Sequence, residues 1–293
     1  MALNTSAATI VYPRISDPRL MQIGILTVFT MLGKTVLEFR VSWLQIYAAV
    51  LSVCVLDVLV VFLRTGAVVV PASGFISGLS LGLLVRAPSV WPFLLAGIAT
   101  VLGKQIIRIR GTHVFNPSNL GLLSVLALPW AHAHTTPAQW GSSWVTLFLV
   151  LNFGLFIIYK IRRLHLVAAV LSGFVVFGLL RSLLGFGTLN GVYGSVLSGS
   201  LLLFAFFMIT DPQTSPTTTR ARVVFGVGVA GLDAILRIFG VPTSIFLALF
   251  ASCAVYGAFR ALNGSTPSNI WDVGTLAIPD AAQAEGGVNP TTG

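Results

Sequence analysis

Ten apolar stretches, separated by polar or turn-forming residues, dominate the pattern of this chain. A helix needs about 20 apolar residues to cross the hydrocarbon core of a bilayer, and most of the stretches approach that length. The stretches near residues 73–86, 117–131 and 194–210 are instead short or rich in Gly, Ser and Pro, which indicates interrupted helices. The ten predicted spans lie near residues 20–38, 41–63, 73–86, 90–107, 117–131, 143–160, 164–181, 194–210, 222–239 and 242–262.

The order of turn-forming residues in the first half is repeated in the second. Each half contains a Ser-Gly pair, a proline that ends the same span, and a proline 29 or 30 residues later that begins the last span. These landmarks are Ser73-Gly74, Pro88 and Pro117, and then Ser198-Gly199, Pro212 and Pro242. Because five spans per half is an odd number, the halves would insert with opposite orientations, which predicts an inverted repeat with a site at its interface. The alternative is that the small residues only allow close helix packing.

The composition is typical of a membrane protein and not of a soluble domain. Of the 293 residues, 56% are apolar and 9% are charged, with a mean hydropathy of +0.93. Soluble domains have about 45–50% apolar and about 25% charged residues. The net charge of +9 is scattered between apolar runs and not clustered on one face, so we expect no nucleic-acid partner. Cys54 and Cys253 lie in apolar stretches, so no metal site is expected.

The Lys and Arg residues predict the orientation in the membrane. With ten spans, twelve of them fall on one side and five on the other, which predicts that both termini are cytoplasmic. We expect the membrane to be the inner membrane of a bacterium. The predicted organisation is a cytoplasmic N-terminal segment without a cleavable signal, two five-helix repeats joined by an extracytoplasmic loop, and a disordered cytoplasmic tail. These parts cover residues 1–19, 20–131, 132–142, 143–262 and 263–293.

The first candidate site follows the eighth apolar stretch. Asp211 stands directly after an apolar run and Thr210, and it is followed by two prolines with Thr214 between them. Its carboxylate can accept backbone N–H bonds, and the prolines favour a fixed turn. The pattern is compatible with a purely architectural helix-end loop or with direct ligand contact.

The second candidate site gathers basic residues before a helix. Lys104, Arg108 and His113 precede Asn116, which is placed as an N-cap, and Pro117 is placed as the first helical residue. A helix N-terminus beside cations suits an anion such as a phosphate. The alternative is an ordinary basic cytoplasmic loop. Within the spans, the lone acid Asp57 is a candidate partner of Arg64, two turns away.

These two clusters resemble motifs of a known family. The segment from Phe204 to Pro216, FAFFMITDPQTSP, resembles the GAFFMATDPVTSP signature of RnfD subunits, and His113 to Pro117, HVFNP, resembles the KHIFNP-type motif of the same RnfD/NqrB family. The resemblance covers about residues 20–262, and the compact size is similar to the UnbU-type RnfD-like proteins associated with enediyne biosynthesis. It implies an all-α fold of ten helices in two inverted repeats, similar to urea transporters.

The resemblance also implies a membrane electron-transfer role that uses flavins. The family attaches one flavin through its phosphate to the threonine of an SGAT motif, whereas this chain has Val196 where that threonine would fall. We therefore expect FMN or riboflavin to bind noncovalently, without an assigned catalytic residue. The candidate flavin-binding residues are Ser73, Lys104, His113, Asn116, Ser198, Thr210, Asp211 and Thr214.

Three functions are open from the sequence. A redox subunit is favoured over a stand-alone enzyme, with the lipid bilayer and a cytoplasmic or membrane redox protein as partners and a homo-oligomer as a compatible state. The same inverted repeat with broken helices would suit a transporter or channel for a small solute. A scaffold subunit without a cofactor is the third function. Visible absorbance of the purified protein separates the first from the other two.

Overall fold

The computed structural model describes residues 10–135, 144–196 and 198–263. The predicted tail, most of the predicted outer loop and the start of the N-terminal segment lie outside these residues. Eleven α-helices are found in the described part of the chain. They are α1 (Pro18–Thr35), α2 (Trp43–Thr65), α3 (Ala72–Leu84), α4 (Trp91–Ile106), α5 (Pro117–Leu126), α6 (Trp144–Lys160), α7 (Leu164–Leu183), α8 (Leu189–Val196), α9 (Gly199–Leu203), α10 (Thr219–Ile238) and α11 (Ser244–Asn263). A 3₁₀ turn covers Pro129–Ala131, and α9 continues into a π-helical turn, Phe204–Met208.

Each predicted span coincides with one helix or, near residues 194–210, with the broken pair α8 and α9. In the described part, α2, α7 and α11 are long and apolar enough to cross a membrane, and the pair from α8 to the π turn, bent by 53°, adds a fourth candidate. Helices α3 and α5 have only 13 and 10 residues, about 20 and 15 Å at the usual helical rise. The chain is a multi-pass membrane protein, and the count of ten crossings stays a prediction.

One face of α2 is apolar and exposed. Leu44, Tyr47, Leu51, Val55 and Leu59 recur every three or four residues, and all five are exposed. This spacing places them on one face of the helix. An apolar stripe of this length is unfavourable in water, and it is the surface that hydrocarbon chains would cover.

Polar side chains cap the N-termini of five helices. Asp17, Ser42, Asn116, Ser198 and Thr218 each accept a hydrogen bond from a backbone N–H group in the first turn of α1, α2, α5, α9 and α10. Such caps satisfy donors that have no partner within the helix. The helix boundaries therefore follow largely from local chemistry.

The helices of the two halves pack in the same order. In the first half, α1 packs on α3, α2 packs on α3 and α4, and α4 packs on α5. In the second half, α6 packs on α9, α7 packs on α8 and α10, and α10 packs on α11. Contacts of α1 with α6 and of α5 with α11 join the halves.

Helices α2 and α3 approach closely at a glycine, and the two halves meet at the π turn. An ideal Cβ atom on Gly78 of α3 would lie 2.6 Å from Cα of Val50 in α2, so only glycine allows this approach. The π turn supplies the buried core where the halves meet. Phe207 packs edge-on against Phe29 of α1, and Phe204 packs edge-on against Phe246 of α11.

Short strands fix the connections between helices. Strand β1 (Ile10–Val11) pairs in parallel with β2 (Val68–Val69). The antiparallel pairs are β3 (Val85–Arg86) with β6 (His134–Thr135), and β4 (Arg108–Ile109) with β5 (Thr112–His113). The β4–β5 hairpin lies between α4 and α5, so it places His113 just before the start of α5.

Candidate ligand-binding cavity

Polar contacts join the two halves at the level of the candidate motifs. His113 Nε2 lies 3.0 Å from Asp211 Oδ2, although 98 residues separate them. Asn116 donates from Nδ2 to the carbonyl of Met208 at 2.9 Å. Asn119 donates in the same way to the carbonyl of Phe246 at 3.0 Å. The two sequence clusters therefore form a single site.

The start of α5 is ordered by its own side chains. Asn116 Oδ1 accepts the backbone N–H of Asn119 at 3.0 Å and the hydroxyl of Ser118 at 2.9 Å. Pro117 occupies the first helical position. With its oxygen used for the cap, the Asn116 amide nitrogen is directed to the other half of the protein. The predicted N-cap is confirmed.

Asp211 organises the loop that ends the broken helix. Its Oδ1 accepts the backbone N–H of Gln213 at 3.0 Å, and its main-chain carbonyl accepts the Ser215 hydroxyl at 2.7 Å. Burial alone would raise the pKa of the Asp211 carboxyl, but His113, the Gln213 N–H and Arg163 lower that pKa below its ordinary value. The side chain is therefore a carboxylate at neutral pH.

Two buried arginines hold this loop. Arg163 donates to the Ser215 hydroxyl at 3.1 Å and to the Pro216 carbonyl at 2.6 Å. Arg260 donates to the Gln213 carbonyl at 3.3 Å, and its guanidinium lies 5.2 Å from the ring centre of Tyr256. Arg163 is 0% exposed and Arg260 is 1% exposed. Their role is to fix the loop.

A cavity of about 380 Å³ lies beside this site. Six of the eight candidate residues line it, and they come from both halves of the chain: Ser73, Lys104, His113, Asn116, Thr210 and Asp211. Ser198 and Thr214 do not line it. Ser198 caps α9, and Thr214 is buried behind the loop, where its carbonyl faces the Cys253 thiol.

An ion pair between partly buried Lys104 and buried Asp57 forms one wall of the cavity. Lys104 Nζ lies 2.9 and 2.8 Å from the two carboxylate oxygens of Asp57 and 2.8 Å from the Ser73 hydroxyl. Gln105 donates to the same carboxylate at 3.2 Å. The predicted pairing of Asp57 with Arg64 is therefore wrong. Arg64 lies at the last turn of α2 and donates to the Gln105 side chain instead, because Lys104 comes closer to the carboxylate from α4.

Four residues of this site were missed or misassigned from the sequence. Asp57 and Gln105 line the cavity, and Arg163 and Arg260 support its loop. Both arginines are among the twelve Lys and Arg residues counted on the predicted cytoplasmic side. The sequence missed their role because charge alone does not distinguish a buried arginine from a loop arginine. The signal available for Asp57 was its position within an apolar span, which requires a partner.

Comparison with known proteins agrees with the motifs. Residues 134–255 match the sequence profile of the NQR2, RnfD, RnfE family. A protein of Pseudomonas aeruginosa (strain LESB58), the subunit designated D of an ion-translocating oxidoreductase complex, is 30% identical over an alignment of 246 residues. The match covers 61% of this chain and 67% of that relative. The chain belongs to the NQR2, RnfD, RnfE family. A protein of the same name from Vibrio cholerae (strain ATCC 39541) is 32% identical over 100 residues, 34% of this chain and 29% of the relative.

The family match covers only one of the two candidate clusters. The matched region of the NQR2, RnfD, RnfE family contains Asp211 and its loop but ends before Arg260. A further relative of the same name, from Tolumonas auensis, is 60% identical over 45 residues, 15% of this chain and 13% of the relative. The His113 cluster lies outside the profile match, and it is joined to the family loop by the contacts described above.

Proposed function

We propose that this protein is a redox subunit of the bacterial inner membrane that passes electrons between a cytoplasmic donor and a membrane partner. Its electron carrier would be FMN or riboflavin, held noncovalently in the cavity between the two halves. The observation that carries the proposal is that six predicted binding residues, five of them from two distant sequence clusters and Ser73 from α3, line one cavity. The relatives named as subunits of an ion-translocating oxidoreductase complex support the redox class.

The residues present fit a flavin in size and chemistry. Ligand pockets commonly have volumes of about 300–1,000 Å³, and this cavity lies within that range. Val70, Ile76 and Phe207 provide apolar wall for a flat ring system. Lys104 and His113 provide polar groups that can face ring nitrogens and carbonyls. A flavin supplies one- and two-electron transfer when it is bound.

The cavity residues would act by orientation and electrostatics. Lys104 and His113 are each held by a carboxylate, from Asp57 and Asp211, so their positions are fixed before a ligand enters. Polar groups held in place in this way stabilise charge that develops nearby without reorganising. The apolar wall excludes water around the ring.

A covalent link is not part of the proposal. Val196, where the family would have its acceptor threonine, has no hydroxyl that could form a phosphodiester. The noncovalent site must therefore hold the flavin by shape, hydrogen bonds and charge. This distinguishes the protein from relatives that carry the SGAT motif.

The arrangement in the membrane is proposed as two inverted five-helix repeats with both termini in the cytoplasm. The shared packing order of α1–α5 and α6–α11 supports the repeat. The distribution of Lys and Arg, twelve against five, supports the orientation. In this orientation the cavity, which is lined by Arg19, Arg64 and Arg108, lies on the cytoplasmic side, where a soluble donor could reach it.

The pathway is proposed from the compact size and the residues His113 to Asn119, which resemble the UnbU-type proteins. In that case the electrons would serve enediyne biosynthesis. Deleting the coding sequence in a producing strain should then stop production of the enediyne while growth continues.

The test of the proposed function is an absorbance spectrum of the purified protein before and after acid precipitation. We expect flavin absorbance that moves to the supernatant when the protein is precipitated. A colourless protein that moves a small solute in proteoliposomes would support the transporter class instead. A colourless protein without transport activity would support a scaffold subunit.

A further inference from the structure

The beginning of α7 holds a buried arginine with unused hydrogen-bond donors. Arg163 is the N-cap residue of α7 and is 0% exposed. Its Nη1 donates to the Ser215 hydroxyl at 3.1 Å and to the Pro216 carbonyl at 2.6 Å. In the described part of the chain, its buried Nε and Nη2 atoms have no hydrogen-bond partner. These two atoms form one edge of the planar guanidinium, and such an edge suits an acceptor that takes two parallel bonds.

A second guanidinium reaches the same acceptor. Arg222, in the first turn of α10, donates from Nε to the Pro216 carbonyl at 3.1 Å and from Nη1 to the Arg162 carbonyl at 2.9 Å. Arg163 and Arg222 therefore converge on one carbonyl oxygen. Because Arg222 is partly exposed, this pair of guanidinium groups extends from the interior of the protein to its surface.

The charge of this pair is not neutralised by a neighbouring carboxylate. Among the residues that the structure describes, none has a carboxylate within ion-pair distance of Arg163 or Arg222. Asp211 is near enough to act on Arg163 through its charge, but its oxygens are taken by His113 and by the N–H of Gln213. Burial and the positive charge of Arg222 lower the pKa of Arg163 to about 10, so Arg163 stays charged at neutral pH. Ordered water would satisfy its N–H groups but would leave a buried charge without a counter-charge, which is costly.

We infer that a small monovalent anion binds at the free edge of the Arg163 guanidinium, with Arg222 as the second donor. Such an anion supplies an acceptor for the buried N–H groups and the negative charge that the surrounding residues lack. It would brace the loop that brings Asp211 to the cavity wall. The anion site is separate from the cavity, because neither Arg163 nor Arg222 lines it.

The experiment measures thermal unfolding of the full chain in phosphatidylcholine nanodiscs while chloride replaces gluconate at constant ionic strength. A ligand that binds only the folded state stabilises it in a saturable way. The melting temperature should therefore rise with chloride and reach a plateau, and bromide should have the same effect. Chloride should also slow amide hydrogen exchange in residues 211–216.

Three variants test the residues. Arg163→Gln should abolish the dependence of the melting temperature on chloride. Because this change also removes two bonds to the loop and can impair folding, Arg222→Gln, at a partly exposed position, is an independent variant. Loss of a charge-assisted bond in Arg222→Gln should weaken the apparent chloride affinity at least about tenfold. Arg220→Gln removes the same charge from an exposed position in the same turn of α10 and should keep the affinity of the wild type.

Two results would overturn the anion site. A melting temperature that does not change with chloride at constant ionic strength would assign the free donors of Arg163 to water. A chloride effect of the same size and affinity in Arg222→Gln as in the wild type would show that chloride binds elsewhere. Neither result affects the flavin proposal, which the absorbance spectrum tests separately.

Discussion

Replacing Asp211 by asparagine is the most informative change in the site. Asp211→Asn keeps the shape of the side chain and removes its charge. The two carboxylate oxygens each accept one contact at 3.0 Å, from the backbone N–H of Gln213 and from Nε2 of His113. The substitution therefore affects both the turn and the contact between the halves.

The expected loss of stability can be bounded from these contacts. A hydrogen bond to a charged group contributes about 1.5–3 kcal/mol. The asparagine oxygen can still accept the Gln213 N–H, and His113 can accept from the new amide in its other tautomer. The loss should therefore be about 1–3 kcal/mol, well below the effect of an unpaired buried charge. Ligand affinity should fall by about tenfold or more, since a residue of the cavity wall has lost its charge.

The assay measures thermal unfolding and flavin binding on the same purified variant. Asp233→Asn is the matched control, because Asp233 is also a buried acid, paired with Arg237 at 2.8 Å, but it does not line the cavity. The control should lose stability and keep flavin affinity. Asp211→Asn should lose affinity while expression stays close to that of the wild type.

A double-mutant cycle with His113→Gln then isolates the contact between the halves. For residues in direct contact we expect a coupling free energy of about 0.5–3 kcal/mol. Normal flavin binding in a destabilised Asp211→Asn protein would refute the functional reasoning and leave Asp211 with an architectural role only.

Three further predictions concern other parts of the molecule. Lys104→Met should destabilise the fold by about 3 kcal/mol because Asp57 stays buried without its base. The double variant Lys104→Met with Asp57→Asn should recover part of the loss in melting temperature. An unchanged melting temperature of the single variant would contradict this. Arg260→Met should increase amide hydrogen exchange in residues 211–216, and unaltered protection would exclude the bracing role. On a denaturing gel no fluorescent flavin should migrate with the protein, and a fluorescent band would reveal a covalent link.

Much of the helical fold was predictable because its signals are local. Apolar runs, prolines and capping residues act within a few positions, and every predicted span coincides with a helix or a broken pair. Ser198 shows the limit of this reasoning. It is one of the predicted binding residues, but its hydroxyl caps α9, a role that N-cap preferences alone could have predicted.

The pairs that build the site could not be read from the sequence. His113 and Asp211 lie 98 residues apart, and Asp57 and Lys104 lie 47 residues apart, so no local pattern connects them. Tertiary packing also decided the place of Thr214, which lies in the predicted loop but is buried away from the cavity. The motifs indicated which segments carry the site, and the fold decided which side chains face it.

The orientation in the membrane is a separate claim that a reporter can test. Both termini are predicted to be cytoplasmic from the twelve-to-five division of Lys and Arg. A fluorescent protein fused to the C-terminus should therefore fold and emit in cells. A C-terminal alkaline phosphatase that is active outside the membrane would show that the orientation or the even number of spans is wrong.

The central claim is that one cavity, built by both halves, holds the flavin. Electron cryomicroscopy of the protein in nanodiscs, with flavin bound and its stoichiometry measured, tests this claim most directly. We predict flat density in the cavity between Lys104 and Asp211, against the apolar wall formed by Ile76 and Phe207. Flavin density at another place in the protein, with this cavity empty, would contradict the account.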